Sequence, residues 1–251
     1  MGLLLAVLAA LVLQPTVAVV DTGADLRIPE ISATHPAVYD VRTRTRDVRD
    51  ANGHGTRVAR IVASESGGAR LMIVRAGSSS GAFSDRNEAS AIRYAVDNGA
   101  RIVNLSLGGP RTSTVERAAI RYAADRGTLV VAAAGDDYAR RPEYPAALLG
   151  PSGLAVAAVL TDGVRAPFSN TGPWVSLAAP GAAGTSAAAA RVSAAAARVW
   201  AANPRLTARQ VVAVLEETAS GSGVRTSELG YGVLDVRAAL ARASGSAAGG
   251  A

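Results

Sequence analysis

The chain predicts an α/β fold: a mostly parallel sheet with helices on both faces, in a three-layer arrangement. Three observations carry this. Short apolar runs rich in Val and Ile alternate with longer amphipathic stretches, no internal repeat appears, and no Pro-, Gly- or Ser-rich linker divides the 251 residues. The first run, "TVAVV", reads as a strand ending at Asp21, and "RVARIVAS" reads as the next amphipathic helix. "RLMIVRA", "ARIVNLSL", "GTLVVAAAG" and "GLAVAAVL" read as further buried strands. Between and after them, "SDRNEASAIRYAVDNG", "STVERAAIRYAADRG", "SAAAARVSAAAARVWAANP" and "TARQVVAVLEETA" read as helices, several closed by Gly or by Asn-Pro. In such a sheet, function gathers at the carboxyl ends of the strands.

Composition sets the outer limits. An apolar fraction of 49% with 26 glycines suits one large globular domain with a proper core. All 26 basic residues are arginines, giving a net charge of +6, but they interleave with Asp and Glu as in "VRTRTRDVRD". That pattern describes a solvated surface, and no aromatic-plus-basic cluster or zinc-finger spacing suggests a nucleic-acid partner. The absence of cysteine excludes disulfides and thiolate metal sites. Residues 1–15, "MGLLLAVLAALVLQP", form an apolar segment too short for a stable membrane span. It reads either as a signal remnant of a secreted or cell-envelope protein or, lacking a charged start, as a helix of a cytoplasmic one. Residues 16–243 form the domain, and 244–251, small and polar, are expected to be a flexible tail.

Three side chains at glycine-flanked element ends stand out. Asp21 closes the first strand in "VAVVDTG", where a carboxylate can orient another side chain. "DTG" alone also fits half of an aspartic-protease site, but that chemistry needs two such carboxylates in an all-β frame, and neither is present. His54 lies between two glycines in "NGHGTRVA", and Ser186 follows a Gly-Thr turn in "GTSAAAARV". A serine there would ordinarily serve as a helix cap. Taken together, the three supply a carboxylate, an imidazole and a hydroxyl in the order Asp, His, Ser, the order found in subtilisin.

With "NLSLGG" as a fourth block in register, the chain resembles the subtilisin-like serine protease family from about Thr16 to about Leu240. "FSNTGPWVSLAAPG" and "LGYGVLDVRAAL" are also similar, the former to the mycosin branch. The resemblance implies a serine endopeptidase, acting as a monomer on a protein or peptide substrate through a triad of Asp21, His54 and Ser186. It implies substrate-binding roles for Ser106, Leu107 and Gly108, and for Ala76, Gly77 and Ser78 as an edge strand for an extended peptide. Calcium is frequent in the family, but no acidic cluster assigns it a site, and no other cofactor is implied.

Three departures favour an alternative, a weak or inactive pseudoprotease of the same fold. In "VVAAAGDD", Asp136 stands where the family has an oxyanion-donating asparagine, and only a protonated carboxyl could donate there. Arg140 or Arg141 in "YARR" could pair with that carboxylate and keep it charged. Ala187 and Ala190 replace a Met and a Pro after the serine, and only Ala182 and Ala183 separate "APG" from "GTS", where the family inserts a pocket wall. A small-ligand domain of the doubly wound kind is disfavoured, because no phosphate-cradling glycine motif follows the first strand.

Overall fold

The computed structural model describes residues 14–221 and 223–248. Its seven parallel strands are β1 (Thr16–Asp21), β2 (Ala37–Asp40), β3 (Arg70–Arg75), β4 (Ile102–Leu105), β5 (Leu129–Ala133), β6 (Gly153–Val159) and β7 (Leu177–Pro180). They stand in the order β2-β3-β1-β4-β5-β6-β7. From β1 the chain goes to the edge strand β2, comes back to fill β3 between β2 and β1, and then crosses β1 to extend the sheet from β4 to β7 on the other side. That reversal opens a crevice beyond the carboxyl ends of β1 and β4, the position where doubly wound sheets bind ligands.

Two layers of helices cover the sheet. On one face α2 (His54–Glu65), α5 (Thr185–Ala202), α6 (Ala208–Glu217) and α7 (Val236–Ala248) share a core with Val17, Val19, Ile73, Val131 and Val156. On the other, α3 (Asp85–Asp97) and α4 (Thr114–Asp125) cover Ala18, Val20, Met72, Val103 and Val130. The alternate residues of each strand thus face opposite layers, which is why the strands read as unbroken apolar runs. A short helix, α1 (Pro29–Ser32), precedes β2.

The alanines of α5 have a packing reason. The helix is buried along most of its length and touches β4, β5, β6, β7, α2 and α7. Methyl side chains let it lie close to all of them, while alanine keeps the helix favourable. Its far end is locked by Trp200, which is buried, donates from Nε1 to the Leu206 carbonyl at 2.6 Å and carries the Arg101 guanidinium 4.0 Å above its ring.

Four elements escaped the sequence reading: α1, β2, β7 and α7. The first three are only four residues long, below the length at which periodicity separates strand from helix. Helix α7 runs to Ala248, through most of the 244–251 segment expected to be a flexible tail, because Ala239 and Ala243 anchor it in the core. The apolar segment at residues 1–15 lies, apart from its last two residues, outside the described residues.

Candidate active site

Asp21, His54 and Ser186 converge at the crevice. Asp21 ends β1 with its side chain fully buried. Its Oδ1 accepts the Thr22 N–H at 2.7 Å and lies 2.8 Å from His54 Nδ1, whereas Oδ2 is buried with no partner. His54 opens α2, and Gly55 lets that helix come close, since a Cβ there would overlap the Gly23 carbonyl and stand 3.0 Å from Asp21 Oδ1. The hydrogen bond from Asp21 outweighs the desolvation of the ring and raises the His54 pKa above its ordinary 6.5.

The other ring nitrogen, Nε2, lies 3.2 Å from Ser186 Oγ. The serine does not cap its helix. The N-cap is Gly184, at φ +121, and β7 reaches it through a turn closed by the Gly184 N–H on the Gly181 carbonyl at 2.9 Å. Ser186 therefore sits in the first turn with its hydroxyl released toward His54 and, at 3.3 Å, the Ser106 carbonyl. Beneath it runs a buried relay: Ser193 Oγ donates to Asn104 Oδ1 at 2.8 Å, Asn104 Nδ2 to Ser106 Oγ at 2.9 Å, and Ser106 Oγ to the Ser186 carbonyl at 3.0 Å. The relay ties the Ser186 backbone to the end of β4.

A buried carboxylate, an imidazole and a serine hydroxyl in series can pass a proton away from the hydroxyl. Comparison with known proteins agrees with this geometry: the family model described as "Subtilase family" matches residues 14–232. The chain belongs to the subtilase family.

Among subtilases, the chain is 35% identical over 175 residues to the thermophilic serine proteinase of Bacillus sp. (strain AK1), covering 66% of this chain and 43% of that protein. It is 32% identical over 250 residues to subtilisin E of Bacillus subtilis (strain 168), covering 89% of this chain and 65% of that one. The chain thus spans less than two thirds of the length of either relative. A solved cold-adapted subtilisin-like serine proteinase superposes with a TM-score of 0.76 at 30% identity, covering 88% of this chain and 86% of that one.

The remaining sequence-derived positions divide. Leu107 and Gly108 leave the end of β4 half-buried and exposed, and their backbone groups form no hydrogen bond among the described residues. Ala76–Ser78 follows directly on the end of β3 at Arg75. Strand β3 is interior, between β2 and β1, and Ala76 and Gly77 donate to the Asp21 carbonyl at 2.9 and 3.1 Å while Ser78 donates to Ala82 at 2.9 Å. The first two brace the Asp21 backbone.

Asp136 lies beside the Ser186 turn, its Oδ1 accepting the Thr185 N–H at 2.9 Å and its Oδ2 2.8 Å from where a Cβ on Gly184 would stand. Arg141 pairs with Asp137, at 3.9 Å, and neither Arg140 nor Arg141 forms an ion pair with Asp136. No group of three or more His, Cys, Asp or Glu among the described residues is arranged to hold a metal ion.

Sequence reading missed Asp50, whose carboxylate organises the approach to His54. Its oxygens accept from Thr56 N and Oγ1 at 2.8 and 2.6 Å, Gly53 N at 2.9 Å and Thr22 Oγ1 at 2.9 Å. The only signal was an Asp four residues before a Gly-flanked His, which spacing alone does not single out. Burial pushes the Asp50 pKa up, but these donors outweigh it and hold the group below its ordinary value. Replacing Asp50 with Ala strands the donors and should cost about 1–3 kcal/mol of stability. Urea unfolding followed by circular dichroism measures this, with Asp50→Asn intermediate; an unchanged midpoint would mean the loop is held by other contacts.

Proposed function

We propose that this subtilase is a serine endopeptidase that hydrolyses peptide bonds through an acyl-enzyme, with Ser186 as nucleophile, His54 as general base and acid, and Asp21 as the group that orients and charges His54. The observation that carries the reading is the single imidazole within hydrogen-bonding distance of both a buried carboxylate and a serine hydroxyl. As Ser186 Oγ bonds to the scissile carbonyl carbon, its proton passes to His54 Nε2. Collapse of the tetrahedral adduct breaks the C–N bond, and His54 returns that proton to the leaving amine. Water, deprotonated by the same nitrogen, then cleaves the ester and restores the serine.

The oxyanion needs donors. The Ser186 N–H has no acceptor among the described residues and points out of the first turn of α5, where the helix dipole favours negative charge. Asp136 stands beside it as an acceptor, so the second donor is the weak element of the site. An extended protein or peptide substrate pairs with the free backbone of Leu107 and Gly108, next to the Ser106 carbonyl that touches the nucleophile.

We place the domain at residues 16–243 and read it as a monomer with no nucleic-acid partner. Export to the medium or cell envelope rests on the apolar run in residues 1–15, and a cytoplasmic location is its alternative. No helix among the described residues is long and apolar enough to cross a membrane.

Two experiments test the mechanism. Ser186→Ala should abolish covalent labelling by a fluorophosphonate probe while leaving the thermal melt nearly unchanged; labelling that survives removes Ser186 from the reaction. Asp136→Asn keeps an oxygen for the Thr185 N–H and offers an amide donor in place of Oδ2. Removing one such donor in subtilisin costs about 10²–10³ in kcat, so this variant should gain tenfold or more on a peptide substrate at pH 7. An Asn variant no faster than the parent would show that Asp136 does not face the oxyanion.

A further inference from the structure

Glu143 is a buried acid that the proposed mechanism does not use. It is only 4% exposed, its Oε2 has no hydrogen-bond partner, and it forms no ion pair among the described residues. Its position is specific. A Cβ on Gly108 would lie 2.9 Å from Glu143 Oε1, and one on Gly135 would lie 3.1 Å from its Cγ. The carboxyl is therefore wedged between the two segments that flank the nucleophile. The Ser106–Gly109 segment touches Ser186 through the Ser106 carbonyl and is joined to Tyr144 by reciprocal Gly109–Tyr144 backbone bonds of 2.9 Å. The Gly135–Asp136 turn holds Thr185 by the Gly135 N–H on Thr185 Oγ1 at 3.1 Å and by the Asp136 carboxylate on the Thr185 N–H.

A carboxyl buried with an unmet oxygen is costly unless something supplies a donor and, once it ionises, a positive charge. The chain supplies neither. The charged groups that face Glu143 are Asp137 and Asp136, which oppose its ionisation, and Arg141, which favours it but pairs with Asp137. Gly108, whose Cβ would stand 2.9 Å from Glu143 Oε1, is an exposed glycine and puts no side chain over the carboxyl. A substrate whose carbonyl carbon meets Ser186 Oγ carries its acyl-side side chain on the adjacent Cα, two bonds away, within reach of the segments that hold Ser186 and Thr185.

We propose that Glu143 is a specificity-determining residue of this subtilase, its carboxylate receiving the cationic side chain, Arg or Lys, of the residue immediately N-terminal to the scissile bond. The inference rests on the hydrolase reading above and deepens it. A guanidinium or ammonium there supplies both the missing donor and the missing charge, and Gly108 leaves the passage open.

Burial first, and then Asp137, push the Glu143 pKa to about 7, with Arg141 opposing and Asp136 adding to the rise. The preference for a cation therefore switches on as pH climbs through that value, while the His54 requirement, common to all substrates, cancels in a ratio of substrates.

The test compares kcat/KM for fluorogenic peptides that differ only at this residue, Arg, Lys or Leu, between pH 6 and 8.5. The Arg-to-Leu ratio should exceed ten at pH 8.5 and fall several-fold at pH 6. In Glu143→Gln it should drop at least tenfold at pH 8.5 and lose its pH dependence, with Glu143→Asp restoring part of it. A ratio near one, or one unmoved by both pH and Glu143→Gln, overturns the proposal. The pH dependence in the unmodified protein decides the matter even where the variants do not fold. Fluorophosphonate labelling of Ser186 in the same preparation separates the two readings: labelled protein with a flat ratio refutes the role of Glu143 alone, and unlabelled protein refutes the hydrolase reading.

Discussion

The site depends on one buried carboxylate. Asp21 ends the central strand with no solvent access, and all its side-chain hydrogen bonds fall on one oxygen. A buried anion with an unmet oxygen favours a positive partner, and the imidazole of His54 is the group within reach. The neighbouring backbone is arranged around this contact. Ala76 and Gly77 brace the Asp21 carbonyl, Gly55 lets α2 approach, and Asp50 fastens the loop that turns into that helix. Thr22 links the two acids, donating to Asp50 while accepting the Gly55 N–H at 3.0 Å.

The hydroxyl is delivered from the opposite direction by the most buried helix of the fold. Because α5 is mostly alanine, it can lie against five strands at once, and its first turn is fixed relative to the sheet. The Ser193–Asn104–Ser106 relay adds a polar tie from mid-helix through β4 to the Ser186 carbonyl. Carboxylate and hydroxyl thus sit on rigid elements that share a core, and the imidazole, on the first residue of α2, closes the distance between them. Preorganisation of this kind needs no lid.

Much of this was legible from residue order. Long Val- and Ile-rich runs gave five of the strands, and the glycines near Asp21, His54 and Ser186 singled out three side chains that meet at the crevice, because such glycines mark close backbone approach whatever the fold. What was hidden is what three-dimensional pairing creates. Strand β2, four residues with no clear pattern, shows only where it pairs with β3 and closes that side of the sheet. Asp136 and Asp137 are adjacent in sequence, yet only the folded turn shows that Arg141 goes to the second and the Thr185 N–H to the first. Asp50 and Glu143 were not singled out, since nothing in their sequence neighbourhood reports the hydrogen bonds that gather on the one or the burial of the other.

The central claim, that the Asp21 carboxylate holds His54 in a state ready to take the serine proton, is tested most directly by titrating the His54 ring by NMR. The chain has two histidines, so His35→Gln assigns the signals. The account predicts that His54 titrates above its ordinary 6.5 and falls below that value in Asp21→Asn, because the amide keeps a hydrogen-bonding group but removes the charge while desolvation remains. A His54 that titrates at or below 6.5 in the unmodified protein, or that does not move when Asp21 becomes Asn, would contradict it.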